Sequence, residues 1–400
     1  MNDLIATYLP YAMNWGDVLL RWLHVIAAIA WIGSSFYFVW LDNSLEPPTD
    51  PDLKAKGVDG ELWAVHGGGF YNPQKYLVAP KRLPQHLHWF YWESYTTWLS
   101  GFALLAVLYL FHAGVFIADP RVFAWPAAWM AGVAMLAFLV VGWVVYDAIC
   151  RAFGQGKNGD LVVGVLVAIY VLIAAWVACH LFAGRAAFLI TGAMLATMMS
   201  ANVLFWIIPG QRRVVAALRA GDKPNPLDGK RGKQRSVHNT YFTLPVVFAM
   251  LSNHYSFLYD AANNWVVLVL MMLAGALIRQ FFVLKHKGAW KWQYWIVGGA
   301  LILGVAIALA PRPQPAQAAA QPVSFAQVER VVQQRCLLCH AGPAASKGVR
   351  LDSPQGIVSH AAAIYQQVVV TKAMPLNNAT GMTDAERDEI ARWVQQGAKR

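Results

Sequence analysis

Two cysteines separated by two residues and followed at once by a histidine, Cys336-Leu337-Leu338-Cys339-His340, form the pattern of covalent c-type haem attachment. Each thiol can form a thioether with a haem vinyl group, and His340 can then ligate the iron. The same C-x-x-C could belong to a thioredoxin-like redox pair or to half of a zinc site. The first needs a βαβ setting that the flanking sequence lacks. The second needs another ligand pair, whereas Cys150 and Cys179 lie in a distant apolar region. Haem c is the reading that remains, and it implies one-electron chemistry outside the cytoplasm.

A second axial ligand is expected downstream. Methionine is the usual partner of histidine in a cytochrome c and raises the potential. Met374 comes 34 residues after His340 and precedes Pro375, a loop-like setting. Met382 stands just before a helix start and reads as packing. His360 is a third possibility. The elements that must hold these ligands are legible. Ser324 can cap a helix carrying Phe325, Val328, Val331 and Val332 into the motif. Thr383 and Glu386 form a capping box ahead of a helix over 385–396 with Ile390, Trp393 and Val394 on one face. Phe325 or Val328 against Trp393 would pack the first and last helices of a small class I cytochrome c domain over residues 323–400.

The rest of the chain has a different character. It is 58% hydrophobic and 13% charged, against about 25% charged in a soluble domain. Eight stretches without Asp, Glu, Lys or Arg read as membrane spans: Trp22–Leu41, Ser94–Ala118, Val122–Tyr146, Leu161–Gly184, Ala186–Gln211, Ser236–Tyr259, Ala261–Ile278 and Trp292–Pro311. Each meets or approaches the ~20 residues needed to cross the hydrocarbon. The expected fold is all-α: a polytopic membrane bundle over residues 1–311, a Pro/Ala linker over 312–322, and the cytochrome domain. Ala316-Gln317-Ala318-Ala319-Ala320 resembles a cleavage site, but the Pro/Ala composition favours a semi-rigid linker. The N-terminus lacks the basic region of a cleaved signal peptide.

Charge predicts orientation. Loop 42–91 holds Lys54, Lys56, Lys75, Lys81 and Arg82. Loop 212–235 holds Arg212, Arg213, Arg219, Lys223, Lys230, Arg231, Lys233 and Arg235. Loops 147–160 and 279–291 add Arg151, Lys157, Arg279, Lys285, Lys287 and Lys291, while the opposite connections hold only Arg121 and Arg185. The positive-inside rule places these loops in the cytoplasm and both termini in the periplasm of a bacterial inner membrane. The net charge of +11 is mostly this excess, and the 212–235 run reads as a topogenic loop rather than a nucleic-acid site.

Histidines inside spans are costly and point to function. His24, His112, His180 and His254 are expected near the periplasmic face. His24 and His254 are the candidates for a possible haem b. On the other side, loop 42–91 contains His66-Gly67-Gly68-Gly69-Phe70-Tyr71 and ends in His86-Leu87-His88-Trp89-Phe90-Tyr91-Trp92-Glu93. Glycines for close backbone approach, aromatic faces and Lys or Arg for an anion suit a flat anionic heterocycle. His88, Glu93 and His66 are the candidate catalytic residues, with His88 or Glu93 as general base. His238, Asn239 and Tyr241 enter the sixth span from the same side and could complete the site.

These residues carry a resemblance. R-W-L-H-V-I-A-A-I-A-W-I-G-S-S-F-Y-F at 21–38, H-G-G-G-F-Y at 66–71, H-L-H-W-F-Y-W-E at 86–93 and the terminal C-L-L-C-H resemble the bacterial integral-membrane urate oxidases (urate hydroxylases) with a fused cytochrome c. The resemblance implies oxidation of urate to 5-hydroxyisourate in purine breakdown. Electrons would pass to the cytochrome instead of O2, and on to an acceptor such as a soluble cytochrome c or terminal oxidase. The residues themselves leave open a quinol-to-cytochrome oxidoreductase, or a membrane-anchored electron shuttle with no catalysis of its own.

Overall fold

The computed structural model describes residues 2–76, 79–80, 83–310, 322–343 and 345–400. Lys81, Arg82, the cleavage-like Ala316–Ala320 run and all of the linker but Pro322 lie outside the described residues. Long apolar runs with few helix breakers give the first part its form. The helices are α1 (Asn2–Ser44), α2 (Pro51–Lys56), α3 (Trp92–Leu108), α4 (Ala113–Phe116), α5 (Ala128–Phe153), α6 (Gly159–Leu181), α7 (Gly184–Ala201), α8 (Ile208–Ala220), α9 (Pro226–Ser252), α10 (Ser256–Tyr259), α11 (Asn264–His286) and α12 (Trp292–Ala308). A π-helical turn, Asn202–Ile207, joins α7 to α8. Asn225 caps α9 by accepting from the Leu227 amide, with Pro226 at the first helical position.

Among the described residues, six helical segments are long and apolar enough to cross a membrane, not the eight expected: Tyr11–Ser44, Trp92–Phe116, Ala128–Phe153, Gly159–Leu181, Gly184–Ala220 and Asn264–His286. The two that fall short do so for different reasons. α9 is a single helix that begins ten residues before the expected sixth span. It carries Lys230, Arg231, Lys233, Gln234, Arg235, His238 and Asn239 in its first half, too polar a set for hydrocarbon. α12 is apolar but has only 17 residues.

α7 is the most enclosed helix. It packs on α5, α6 and α9, and α11 packs on α9 and α12, while α1 pairs with α3. Small residues permit close approach. A Cβ on Gly192 of α7 would come within 2.7 Å of the Ala249 Cβ on α9. Loop 42–91 departs from the all-α expectation. β1 (Val58–Glu61) pairs antiparallel with β4 (Gln74–Tyr76), and β2 (Ala64–His66) with β3 (Gly69–Tyr71). Gly67 and Gly68 at φ +59° and +82° make the tight turn between β2 and β3, a conformation that only glycine adopts readily.

The C-terminal residues form a helical unit with its own core. It comprises α13 (Phe325–Arg335), α14 (Leu337–His340), α15 (Pro354–Ser359), α16 (Ala361–Ile364) and α17 (Asp384–Gln395). Both expected caps are present: Ser324 pairs with Gln327, and Thr383 with Glu386. Val328, Val332, Ile390 and Trp393 are buried together, and the Phe325 and Trp393 ring centroids lie 6.0 Å apart. Met382 is buried in this core, as packing.

Candidate functional site

The C-terminal motif sits at the end of α13. Cys336 and Cys339 are free thiols, the first half-buried and the second exposed. Burial, with Cys339 beside it, pushes the Cys336 thiol up to about 11. His340 Nδ1 lies 3.0 Å from the Val349 carbonyl oxygen. A carbonyl only accepts, so Nδ1 carries the proton and Nε2 keeps its lone pair. The loop after His340 is tied down by Asp352, which accepts from the Gly342 amide at 2.9 Å and from Arg350 Nη2 at 2.9 Å. Arg350 beside it holds the Asp352 carboxyl below the usual carboxylate range. Met374 is half-buried against the same core. Its amide donates to the Gln367 carbonyl at 3.0 Å, and its carbonyl accepts from Arg387 Nη1 at 2.8 Å. His360 Nδ1 donates to the Gly356 carbonyl at 2.8 Å, a local helix-end contact.

This unit touches one end of the bundle. Asn377 Nδ2 donates to the Val115 carbonyl at 2.7 Å, and Ser256 Oγ donates to the Thr371 carbonyl at 3.1 Å. The basic loops gather elsewhere: Arg219 Nη2 donates to the Gln85 carbonyl at 3.1 Å, joining loop 212–235 to loop 42–91.

The sequence-derived base candidates lie on three different elements. His66 is exposed at the tip of the β2–β3 hairpin. His88 is exposed, its ring 4.6 Å edge-on from Phe90. Glu93 is half-buried in the first turn of α3. No hydrogen bond or ring contact joins these three among the described residues. The four histidines expected in spans have different settings. His24 lies against the middle of α3, with Nδ1 3.1 Å from both the Thr97 carbonyl and Ser100 Oγ. Gly101 makes room for it, since a Cβ there would come within 2.8 Å of His24 Cε1. His254 is exposed in the turn after α9, and no contact links it to His24. His112 and His180 are exposed and hydrogen-bonded to backbone of their own helical segments.

What the structure does bring together is a buried polar network between α5, α9 and the π-helical turn. Asp147 accepts from Arg235 Nη2, Trp206 Nε1 and Arg151 Nε, each at 2.7 Å. Arg235 Nη1 donates to Asn202 Oδ1 at 3.2 Å, which fixes that amide's orientation because arginine cannot accept. Asn202 Nδ2 then donates to Tyr146 Oη and to Asn239 Oδ1, both at 2.9 Å. Tyr146 Oη lies 2.8 Å from His238 Nδ1. Asn202 Nδ2 can only donate to the phenol, so the buried tyrosine proton takes His238 Nδ1 as its acceptor, which leaves the His238 ring with Nε2–H. π-helical turns recur at functional sites, and this one delivers Asn202.

His238 also lines a cleft of about 290 Å³ between α6 and α9. Asp160 and Gly164 form one wall, and Lys230, Lys233, Gln234, Val237 and Tyr241 share the other with His238. Sequence reasoning treated Lys230, Lys233 and Arg235 as topogenic loop charges and passed over Tyr146, Asp147 and Asn202. A signal was present. Lys230, Gln234, His238 and Tyr241 recur at intervals of four, four and three, one continuous face of a helix.

The fold and these sites define a helical bundle with several apolar helices long enough for a membrane, a cleft between α6 and α9, and a thiol–histidine motif on a separate helical unit. Residues 10–310 match the family described as Urate oxidase N-terminal. The chain belongs to that family, which makes it a urate oxidase-related protein. Among the curated proteins and the solved structures, none matches the chain.

Proposed function

We propose that this chain is an integral-membrane urate oxidase that delivers electrons from urate to a covalently attached haem. Family membership over residues 10–310 supports the substrate. The observation that carries the electron-transfer half is the His340–Val349 hydrogen bond. It holds Nε2 as a lone-pair donor directly beside two free thiols at the attachment spacing, the orientation a histidine ligand needs. Cys336 and Cys339 would bond the haem, and His340 and Met374 would ligate its iron. So held, the haem supplies one-electron acceptance.

The overall change balances as urate plus water giving 5-hydroxyisourate, two protons and two electrons, accepted one at a time. No O2 enters and no peroxide forms. The positive-inside rule puts the end where Arg219 meets Gln85 in the cytoplasm of a bacterial cell, and the C-terminal unit in the periplasm. An electron acceptor such as a soluble cytochrome c or a terminal oxidase then receives the electrons. The hydrocarbon between the two ends is about 30 Å thick. His24, like His340, has Nδ1 on a backbone carbonyl and Nε2 without a hydrogen-bond partner among the described residues, at mid-height on α3. This favours His24, apart from His254, as a ligand for a b-type haem within the span.

The test is anaerobic addition of urate to membranes holding the protein. The expected result is growth of the reduced c-haem α-band. A response to quinol but not urate overturns the substrate, and silence to both leaves only an electron shuttle. A haemochrome spectrum with c-haem alone removes the His24 extension.

A further inference from the structure

We infer that the cleft between α6 and α9 is the urate-binding site, with His238 Nε2–H as the group that binds a substrate oxygen. The inference rests on the urate reading above and adds the place and the contacts. Its volume of about 290 Å³ is near the lower end of the roughly 300–1,000 Å³ of small-molecule sites, in keeping with a bicyclic purine rather than a bulkier ligand.

The chemistry of the walls points to a planar anion with carbonyl oxygens. Lys230 and Lys233 stand exposed at the rim and attract negative charge. The one carboxylate in the cleft, Asp160, is engaged by Gln234 Nε2 at 2.7 Å. Deeper in, His238 offers a donor whose tautomer is set by the Tyr146–Asn202–Arg235 chain. Its Nε2–H has no protein partner among the described residues. A preset donor loses little freedom on meeting an oxygen anion, and the same geometry later stabilises charge that develops on that oxygen. Tyr241 adds an aromatic face, and its hydroxyl is pinned by donating to Gln280 Oε1 on α11. His238 therefore acts as a donor to substrate, and proton removal falls to water or to a group the substrate brings near.

The experiment is equilibrium binding of radiolabelled urate to detergent-purified protein, beside urate-driven c-haem reduction in membranes. His238→Gln, Lys233→Gln and the control Lys223→Gln are compared with wild type, with ascorbate-reducible haem reporting intact assembly. Loss of a charged or buried hydrogen bond predicts that urate Kd and KM rise about tenfold or more in the first two variants, and stay at the wild-type value in the control. Lys233 lies outside the buried network, so its variant decides the matter if His238→Gln fails to assemble. Wild-type affinity in Lys233→Gln and in assembled His238→Gln overturns the cleft assignment. Urate binding lost in these variants, by a wild type that never reduces its haem with urate, leaves the cleft standing and removes the oxidase reading instead.

Discussion

The Asn377 side-chain amide donates to the Val115 carbonyl across 2.7 Å, joining the loop that follows Met374 to the end of a membrane-length helical segment. Asn377 lies three positions after Met374, so the contact holds the proposed iron-ligand loop against the bundle. A single neutral hydrogen bond contributes about 1 kcal/mol, roughly a fivefold change in a docking equilibrium. Asn377→Ala is expected to slow urate-driven haem reduction about fivefold while ascorbate reduces the haem as in wild type. Stopped-flow absorbance at the α-band measures both. Equal slowing with the two reductants would falsify a docking role.

The haem ligands separate by experiment. Cys336→Ser with Cys339→Ser is expected to abolish haem staining on a denaturing gel. Met374→Leu keeps the covalent haem but lowers its midpoint potential, because thioether ligation raises it. Redox titration reads the shift, and an unchanged potential with Met374→Leu transfers the ligand role to another residue.

Arg235 is buried and ion-paired to Asp147 at 2.7 Å, with its guanidinium 4.9 Å over the Tyr146 ring. Removing one member of a buried pair costs about 3–5 kcal/mol, since the other charge is stranded. Asp147→Asn is expected to lower the melting temperature of the detergent-purified protein sharply. A melting curve that matches wild type shows the pair to be solvated.

Arg279 is the opposite case. It is buried over the Phe36 ring at 3.9 Å, and its Nε and Nη2 have no hydrogen-bond partner among the described residues. An apolar side chain of similar length relieves an unpaired buried charge. Arg279→Met is expected to raise thermal stability by about 1–4 kcal/mol, read from the same melts. Destabilisation there would mean that a bound anion supplies the missing counter-charge.

Asp260 lies where the C-terminal unit meets the bundle, and burial pushes its carboxyl up to about 6, against the pull of Arg121. Its ordinary value is 3.8, so the folded form holds this proton more tightly than the unfolded chain. Asp260 therefore favours the folded state below about pH 4, and that contribution is lost as pH rises through about 6. Asp260→Asn should flatten this part of the pH dependence of melting. An identical slope in the variant refutes it.

Much of the C-terminal unit was legible because its signals are local. The capping boxes at Ser324 and Thr383, the C-x-x-C-H spacing and the apolar stripe ending at Trp393 each depend on residues within a turn or two. The long apolar helices were legible for the same reason, since composition over some twenty residues decides them. The span count was not. Whether α9 is a span or a polar helix depends on what its Arg235, His238 and Asn239 meet, and those partners sit on α5, α7 and the π-helical turn.

The candidate site shows the same division. Sequence alone determined the haem-type motif, the charge asymmetry and a resemblance to urate oxidases. It pointed to His66, His88 and Glu93 because they are clustered along the chain. Among the described residues no contact joins those three, whereas folding gathers Tyr146, Asn202, Arg235 and His238, residues up to 92 positions apart. A histidine's tautomer is set by whichever group faces each ring nitrogen, and for His238 and His340 alike that group is supplied only by folding.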